Sequence, residues 1–308
     1  MNKRVVKSNA FLLLAAAIWG LAFVAQSDGM NYIGPFTFCV ARSILGAVAV
    51  FPVWLIMSRK EAGRYGRDEL IKKRKATVKA GLICGTALFA ATAAQQIGIQ
   101  YTTAGKAGFI TALYIVMVPI LGMIFFKRKA PVTAWLSVVL ATAGLYLLCI
   151  KEGFTVSKGD LWVIVCAVLF GFQILFVDRY APEADGVLLS CVQFLVVAVL
   201  SVPGVFINGE TVTVQAFSGA WRSVCYTGIF SSGVAYTLQI LGQKNSENPT
   251  VASLLMSMES VFAAVFGWLI LHERLERKEL AGVLIMALAI ILSQLPVKSL
   301  SAFRKDKV

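Results

Sequence analysis

The sequence contains ten long hydrophobic runs, each close to the length that an α-helix needs to cross a lipid bilayer. A transmembrane helix takes about 20 mostly apolar residues, because the hydrocarbon core is about 30 Å thick and each residue advances the helix by about 1.5 Å. The predicted spans are residues 9–27, 34–57, 79–98, 104–126, 131–150, 159–178, 186–207, 220–242, 250–271 and 279–297. We therefore expect an all-α integral membrane protein with ten transmembrane helices.

The composition excludes a water-soluble protein. Of the 308 residues, 58% are hydrophobic and 15% are charged, whereas soluble domains have about 45–50% apolar and about 25% charged residues. The net charge of +13 would suggest nucleic acid as a partner of a soluble protein, but the 29 lysine and arginine residues lie almost wholly between the hydrophobic runs. Such charge sets orientation in a membrane, so we predict the lipid bilayer as a partner and no nucleic acid.

The positive residues fall mostly on one side of the predicted membrane. One side receives 21 of the 29 lysine and arginine residues and the other receives seven, with Arg42 inside a span. By the positive-inside rule the richer side is cytoplasmic. We therefore expect a multi-pass membrane protein with both termini in the cytoplasm.

A basic segment follows the second predicted span. Residues 58–78 mix many lysine and arginine side chains with Tyr65, Leu70 and Ile71. We interpret this segment as a cytoplasmic loop whose charge orients the neighbouring spans. The alternative is an amphipathic helix that lies on anionic lipid.

The two halves of the chain align with each other in span order. Shifts of 151 and 145 residues bring matching spans together. Under these shifts the aligned pairs include Trp19 with Phe170, Gly20 with Gly171, Arg42 with Gln193, and Tyr114 with Glu259. The sequence therefore predicts a first five-helix repeat at residues 1–150, a second at 151–298, and a basic cytoplasmic tail at 299–308.

An odd number of spans in each repeat has a geometric consequence. The second repeat must enter the bilayer from the side opposite to the first, so the two repeats are inverted. Inverted repeats recur in secondary transporters, in which the solute site lies near the bilayer midplane between the repeats. This symmetry favours movement of a small-molecule solute by alternating access.

Three motifs give the chain a resemblance to a known family. They are Trp19-Gly20 in the first span, residues 107–114 (AGFITALY) in the fourth, and residues 250–259 (TVASLLMSME) in the ninth, which continues through residues 261–264 (VFAA) to 272–275 (HERL). The chain resembles an EamA-type member of the drug/metabolite transporter superfamily over nearly its whole length. The resemblance implies an exporter or exchanger of amino acids or related metabolites in the plasma (inner) membrane.

Two ionisable residues lie deep inside predicted spans. An ionised side chain at a helix centre costs roughly 2.5–3.5 kcal/mol on insertion scales, so each is a candidate for solute binding. Glu259 lies about ten residues into its span and suits a solute ammonium group or a coupling proton. Arg42 lies about nine residues into its span and suits a carboxylate. The alternative is that the two side chains pair with each other, or cap backbone groups, and only fix helix packing.

Amide and aromatic side chains extend the set of candidates for the solute site. Beyond Glu259 and Arg42, the chosen residues are Gln96, Tyr114, Gln193, Tyr236 and Trp19. Gln95, Gln100, Gln173 and Gln239 carry amides that could line the same cavity. Gln95 and Gln96 are adjacent, so they cannot both face inward on one helix. For each amide a hydrogen bond between helices is the alternative to a solute contact.

Other site types find little support in the sequence. His272 is the only histidine, the six cysteines are widely spaced, and no phosphate-binding loop of the G-x-x-x-x-G-K-[ST] type is present. We expect no cofactor, no metal site and no enzymatic activity. The rival interpretations are a membrane-embedded lipid-modifying enzyme and a non-transporting membrane assembly subunit. Gly81 and Gly85 permit close helix approach, either inside the chain or in a possible homodimer.

Overall fold

The structure is a computed structural model that describes residues 3–62, 66–128, 130–149, 157–246, 248–271 and 276–294. In this part of the chain every regular element is helical. The predicted tail 299–308, the predicted boundary at residues 150 and 151, and the motif at 272–275 lie outside the described residues.

Ten helices follow one another along the chain. The first five are α1 (Lys3–Gly29), α2 (Pro35–Ala62), α3 (Arg67–Ile99), α4 (Ala104–Phe126) and α5 (Val132–Cys149). The second five are α6 (Lys158–Tyr180), α7 (Gly186–Ile207), α8 (Val214–Gln243), α9 (249–271) and α10 (Arg277–Ser293). Of these described helices, nine contain a stretch long and apolar enough to span a membrane, and α10 has 17 residues. The predicted all-α membrane fold is confirmed.

Contacts at the helix ends show that successive helices run in opposite directions. Ser8 near the start of α1 donates to the carbonyl of Gly242 at the end of α8. Asn9 Nδ2 donates to Gln294 Oε1, just after α10, over 3.1 Å. We call the face that holds these contacts the amino-terminal face and the other the opposite face.

The fourth and ninth helices are each broken near the middle. In α4 the break lies between Ala104–Ala112 and Tyr114–Phe126, and in α9 between Pro249–Met256 and Glu259–Leu271. Tighter i to i+3 bonds close both breaks: Val116 N donates to Leu113 O over 2.9 Å, and Ser260 N to Ser257 O over 3.3 Å. Each span is therefore two half-helices in line.

The middle of α8 is also irregular. The segment Tyr226–Tyr236 is a π-helix, between α-helical segments at Val214–Cys225 and Thr237–Gln243. Such wider turns occur mostly at functional sites, because they shift the register of the following side chains. Nothing in the hydrophobic pattern of the sequence predicted this irregularity.

Polar residues begin several helices in the expected way. Ser157 and Asp160 form a reciprocal capping box at the start of α6. The side chain of Asp185 accepts bonds from Val187 N and Leu188 N at the start of α7, both over 3.1 Å. These caps satisfy backbone N–H groups that have no partner inside the helix.

The basic segment after the second span differs from its prediction. We expected a loop over residues 58–78, but α2 continues to Ala62 and α3 already begins at Arg67. Asp68 and Glu69 lie in the first turn of α3, where negative charge stabilises a helix start. Most of the predicted loop is therefore helical, as an extension of both spans.

The two halves of the chain are interleaved. The most extensive contacts join α1 to α8, α5 to α10, α2 to α7, and α3 to both α6 and α7. Glycines permit the closest approaches: Gly144 lies against Gly282 between α5 and α10, and Gly81 and Gly85 lie against α7. The paired glycines of α3 thus serve packing inside the chain.

The outer surface of the helices is apolar. Val48, Ile124, Val139 and Val199 are each more than 60% exposed. Such a surface is unfavourable in water and suits the hydrocarbon of a bilayer. Small and polar side chains face inward instead, as described next.

Candidate functional site

A cavity with an empty volume of about 450 Å³ lies between the two halves. It is bordered by α1, α2, α3 and α4 of the first half and by α6, α8 and α9 of the second. The lining residues are Trp19, Ala22, Phe23, Gln26, Arg42, Gln95, Thr111, Tyr114, Phe170, Gln173, Ile174, Ser231, Tyr236, Gln239, Met256 and Glu259. A pocket with a few polar groups among apolar walls is typical of small-molecule sites.

Many of the lining residues occupy equivalent positions in the two halves. The shifts of 151 and 145 residues pair them as Trp19 with Phe170, Ala22 with Gln173, Phe23 with Ile174, Thr111 with Met256, and Tyr114 with Glu259. The cavity therefore lies where the two halves face each other symmetrically. Its charges break that symmetry, because the partner of Glu259 is Tyr114 and the partner of Arg42 is Gln193.

The breaks in α4 and α9 bring Tyr114 and Glu259 together. Each is the first residue of the second half-helix of its span, and both are at most 4% exposed. The Tyr114 hydroxyl donates to Glu259 Oε1 over 3.3 Å. Glu259 also lies at a helix amino terminus, where the helix dipole favours negative charge. The carboxyl group is thus held at the centre of the fold by two discontinuous helices.

Arg42 on α2 reaches the cavity from the other side. Its Nε donates to Ser232 Oγ over 3.1 Å, its Nη1 to Gln26 Oε1 over 2.9 Å, and its Nη2 to Ser231 Oγ over 3.2 Å. Ser231 and Ser232 belong to the π-helical segment of α8, which places both hydroxyls against the guanidinium group. The side chain is 3% exposed.

Arg42 and Glu259 do not pair with each other. The hydrogen-bond acceptors of Arg42 are neutral, and among the described residues no carboxylate lies within ion-pair distance of its guanidinium. The described partner of Glu259 is the Tyr114 phenol. The alternative in which the two charges only satisfy each other therefore does not match the structure.

The aromatic candidates form one wall of the cavity. The Trp19 and Tyr236 rings lie 4.9 Å apart in an edge-to-face arrangement, and Tyr236 also contacts Phe194 at 6.1 Å. Trp19 Nε1 donates to the carbonyl of Ser231 over 3.2 Å. This bond fixes the indole beside the serines that hold Arg42.

Both amides of the chosen set, Gln96 and Gln193, lie outside the lining. Gln96 Nε2 contacts Met30 Sδ at 3.6 Å, whereas its neighbour Gln95 lines the cavity and donates to Thr111 Oγ1 over 3.2 Å. Gln193 lies behind Gln173 and accepts from its Nε2 over 3.4 Å. The structure thus brings Glu259, Arg42, Tyr114, Tyr236 and Trp19 together and places Gln96 and Gln193 behind the wall.

The chosen set left out several lining residues. Phe170, Gln173 and Ile174 on α6 occupy the positions equivalent to Trp19, Ala22 and Phe23 on α1. Applying the 151-residue shift to Trp19 could have found Phe170. Ser231 carried no such signal, because the π-helix alone turns it inward.

The two faces of the protein differ beside the cavity. On the amino-terminal face Arg128 Nη2 and Asp178 Oδ2 form an ion pair of 2.8 Å between α4 and α6. On the opposite face a cleft with about 710 Å³ of empty space, part of it continuous with solvent, is lined by Ser27, Met30, Asn31, Ile99, Gln100, Tyr101 and Thr102. The cleft begins about one helical turn beyond Gln26 and Gln95 of the cavity.

The described residues offer no obvious metal site. No group of three or more histidine, cysteine, aspartate or glutamate side chains is close enough to hold an ion in this part of the chain. The six cysteines are unpaired. His272 lies outside the described residues.

Both halves of the sequence match one protein family. The profile of the EamA-like transporter family matches the chain twice, over residues 6–150 and 157–295. The chain belongs to the EamA-like transporter family. This confirms the resemblance to EamA-type members of the drug/metabolite transporter superfamily.

Relatives of the family cover nearly the whole chain. An uncharacterized transporter of Archaeoglobus fulgidus is 28% identical, over 93% of this chain and 85% of its own. The uncharacterized transporter YoaV of Bacillus subtilis is 23% identical, over 94% of this chain and 97% of its own. A protein crystal structure, 16% identical, superposes with a TM-score of 0.76, covering 95% of this chain and 98% of its own. That likeness supports the fold.

Proposed function

We propose that this EamA family member is a secondary transporter that exports or exchanges amino acids or closely related metabolites by alternating access. One observation carries the proposal: the Arg42 guanidinium lines the cavity almost fully buried and has only neutral partners. A buried charge without a counter-charge is costly. An anionic group of the solute, such as a carboxylate, supplies the missing partner.

Glu259 complements Arg42 in the same cavity. A carboxylate with one phenol as its described partner retains lone pairs for a cation, so it can accept hydrogen bonds from a solute ammonium group. A zwitterion matches both charges at once. A proton is the alternative ligand of Glu259, and its release and uptake would couple solute movement to a proton gradient.

The symmetry of the cavity supports alternating access. Equivalent residues of two inverted repeats surround it, so rocking one repeat against the other can exchange the open side. The Arg128–Asp178 ion pair lies on the amino-terminal face, and the 710 Å³ cleft lies on the opposite face. By the positive-inside rule the amino-terminal face is cytoplasmic, in the plasma membrane.

Counterflow in proteoliposomes tests the proposal. Vesicles containing the purified protein are loaded with unlabelled alanine, threonine, leucine or phenylalanine and diluted into the same labelled amino acid. We expect labelled solute to accumulate chemically unchanged. A lipid-modifying enzyme would alter a substrate, and an assembly subunit would exchange none, so absence of exchange for every amino acid contradicts the proposal.

Charge-neutral variants test recognition of the carboxylate and of the ammonium group of the solute separately. Arg42→Gln should weaken amino acid binding by about tenfold or more, the size of a hydrogen bond to a charged group, and should spare the corresponding decarboxylated amine. Glu259→Gln should weaken binding of the amino acid and leave binding of the corresponding des-amino acid unchanged. Glu183→Gln removes an exposed carboxylate at the amino-terminal face and serves as the control.

A further inference from the structure

Three glutamines form a chain of hydrogen bonds that starts at the cavity wall. Gln239 Nε2 on α8 donates to Gln173 Oε1 on α6 over 3.1 Å, and Gln173 Nε2 donates to Gln193 Oε1 on α7 over 3.4 Å. All three side chains are at most 1% exposed. The three amides thus link three helices of the second repeat in one direction.

Both ends of this chain are open. Gln239 Oε1 and Gln193 Nε2 have no hydrogen-bond partner in the described protein, although both atoms are buried. Gln239 lines the cavity and Gln193 does not. A buried polar atom without a partner costs free energy, and a group bound in the cavity can remove that cost at Gln239.

A structural role accounts for the two hydrogen bonds between helices, but it gives no partner to Gln239 Oε1 at the cavity. Two hydrogen bonds between helices would serve packing equally well if the outer atoms also had partners. In the first repeat the lining amide of α3 is used differently, because Gln95 Nε2 donates to Thr111 Oγ1 over 3.2 Å. The open amide chain is therefore a feature of the second repeat alone among these lining glutamines.

The direction of the hydrogen bonds among the three glutamines can also reverse without loss of a bond. If all three amides turn over, Gln193 donates to Gln173 and Gln173 donates to Gln239, so two bonds remain. The cavity then meets the NH₂ group of Gln239 in place of its oxygen. The wall can therefore offer either an acceptor or donors, which suits a neutral polar group better than a charge.

We infer that Gln239, positioned by Gln173 and Gln193, is a specificity-determining residue that recognises a hydroxyl or amide on the side chain of the solute. The inference rests on the proposed function, since it assumes that Arg42 binds the α-carboxylate of an amino acid and Glu259 binds its α-ammonium group. It narrows the substrate class to amino acids, or similar zwitterions, with a neutral hydrogen-bonding side chain.

Pairs of amino acids with the same shape test this inference. Threonine and valine differ by a hydroxyl in place of a methyl group, and asparagine and leucine differ by an amide in place of a branched alkyl group. Competition of each against labelled threonine in proteoliposome counterflow gives the preference ratio. We expect the wild-type protein to prefer the polar member of each pair by about tenfold, which equals about 1.4 kcal/mol.

Substitution of Gln239 should abolish that preference. In Gln239→Leu the ratio of polar to apolar preference should fall to about one. If the leucine variant does not fold, Gln239→Met, which keeps the unbranched shape, is tested in its place. The matched control is Gln96→Leu, because Gln96 is equally buried and also has an unpartnered Oε1 but lies outside the cavity lining. The control should keep the wild-type ratio.

The results distinguish failure of the inference from failure of the proposed function. If Arg42-dependent exchange occurs but a folded Gln239 variant keeps the wild-type ratio, or the wild type shows no preference, the inference is wrong and the transport proposal stands. If no amino acid of either kind exchanges, both are wrong. Monodisperse elution in detergent establishes folding of each variant.

Discussion

At the scale of single residues, the contact between Tyr114 and Glu259 joins the two halves of the site. The phenol belongs to the first half and the carboxylate to the second, and their 3.3 Å bond crosses the cavity wall. The two positions are equivalent under the repeat, yet only one of them carries a charge. Tyr114 is therefore a positioning residue for Glu259.

Tyr114→Phe tests that role. Loss of the hydroxyl leaves the carboxylate without its described partner, so we expect KM for the amino acid to rise by about three- to tenfold, the size of one net hydrogen bond. KM for the des-amino acid, which does not need Glu259, should stay constant. Counterflow at varied solute concentration gives both values.

Tyr226→Phe is the matched control for this substitution. The Tyr226 hydroxyl donates to the carbonyl of Ile18 over 2.7 Å, and Tyr226 does not line the cavity. The KM values of Tyr226→Phe for both solutes should match those of the wild type. Equal KM changes for the amino acid and the des-amino acid in Tyr114→Phe would mean that the tyrosine acts only through packing.

The sequence identified the charged residues of the cavity more readily than its amides. A charge inside a span is rare because it is costly there, so Glu259 and Arg42 stand out without any structure. An amide is cheaper, and successive residues of a helix differ by about 100° in direction. Choosing Gln96 over Gln95 required a knowledge of helix rotation that the hydrophobic pattern does not contain.

At the scale of helices, a glycine in α1 allows a close approach to α9 just after its break. A Cβ atom on Gly20 would lie 2.8 Å from Ala263 N and 2.9 Å from the carbonyl oxygen of Glu259. Both are backbone atoms, which cannot turn aside as a side chain can. The glycine therefore allows α1 to lie directly against the residue that carries the carboxylate.

Gly20→Ala should separate these two helices. We expect overpacking to cost about 1–3 kcal/mol, to lower the thermal unfolding midpoint by several degrees, and to weaken amino acid binding because Glu259 is displaced. Thermal unfolding in detergent, with and without amino acid, measures both effects.

The second repeat supplies the control for this prediction. A Cβ atom on Gly171, the equivalent of Gly20, would meet Leu121 Cδ1 at 3.0 Å and Met117 Cβ at 3.1 Å. These are side-chain atoms, and the nearest backbone atom is 3.7 Å away. Gly171→Ala should be milder, and a loss as large as that of Gly20→Ala would contradict the role assigned to the α1–α9 contact.

The helices were predictable in number and order but not in their irregularities. Length and hydropathy define a span, because the bilayer thickness sets both. The break in α9 occurs with Ser260 following Glu259, so no proline marks it there. Neither the π-helix of α8 nor the helical extension before residue 79 changes the hydrophobic pattern of a span, and both were missed.

At the scale of the whole molecule, the two repeats have opposite orientations in the membrane. Each repeat contributes five helices, so equivalent loops lie on opposite faces. Asn31 follows α1 and Glu183 follows α6, which is the equivalent helix of the second repeat. Both side chains are exposed.

Chemical labelling tests that orientation. In a variant without native cysteines, Asn31→Cys should react with a membrane-impermeant maleimide in intact cells, because the opposite face is external under the positive-inside rule. Glu183→Cys should react only after the cells are made permeable. Gln100→Cys, beside Asn31 in the cleft, should behave like Asn31→Cys. Labelling of residues 31 and 183 from one compartment would contradict the inverted arrangement.

The early start of α3 has a consequence for how deeply the protein sits in the bilayer. Its 33 residues extend about 50 Å, roughly 20 Å more than the hydrocarbon core. The surplus lies at the amino-terminal end, where Arg67, Lys72, Lys73, Arg74, Lys75 and Lys79 are found. Sliding inward would carry these cations from the headgroups into hydrocarbon, at a cost of a few kcal/mol each. The projecting end of α3 therefore limits how far the protein can move inward, which keeps Arg42 and Glu259 near the middle of the membrane.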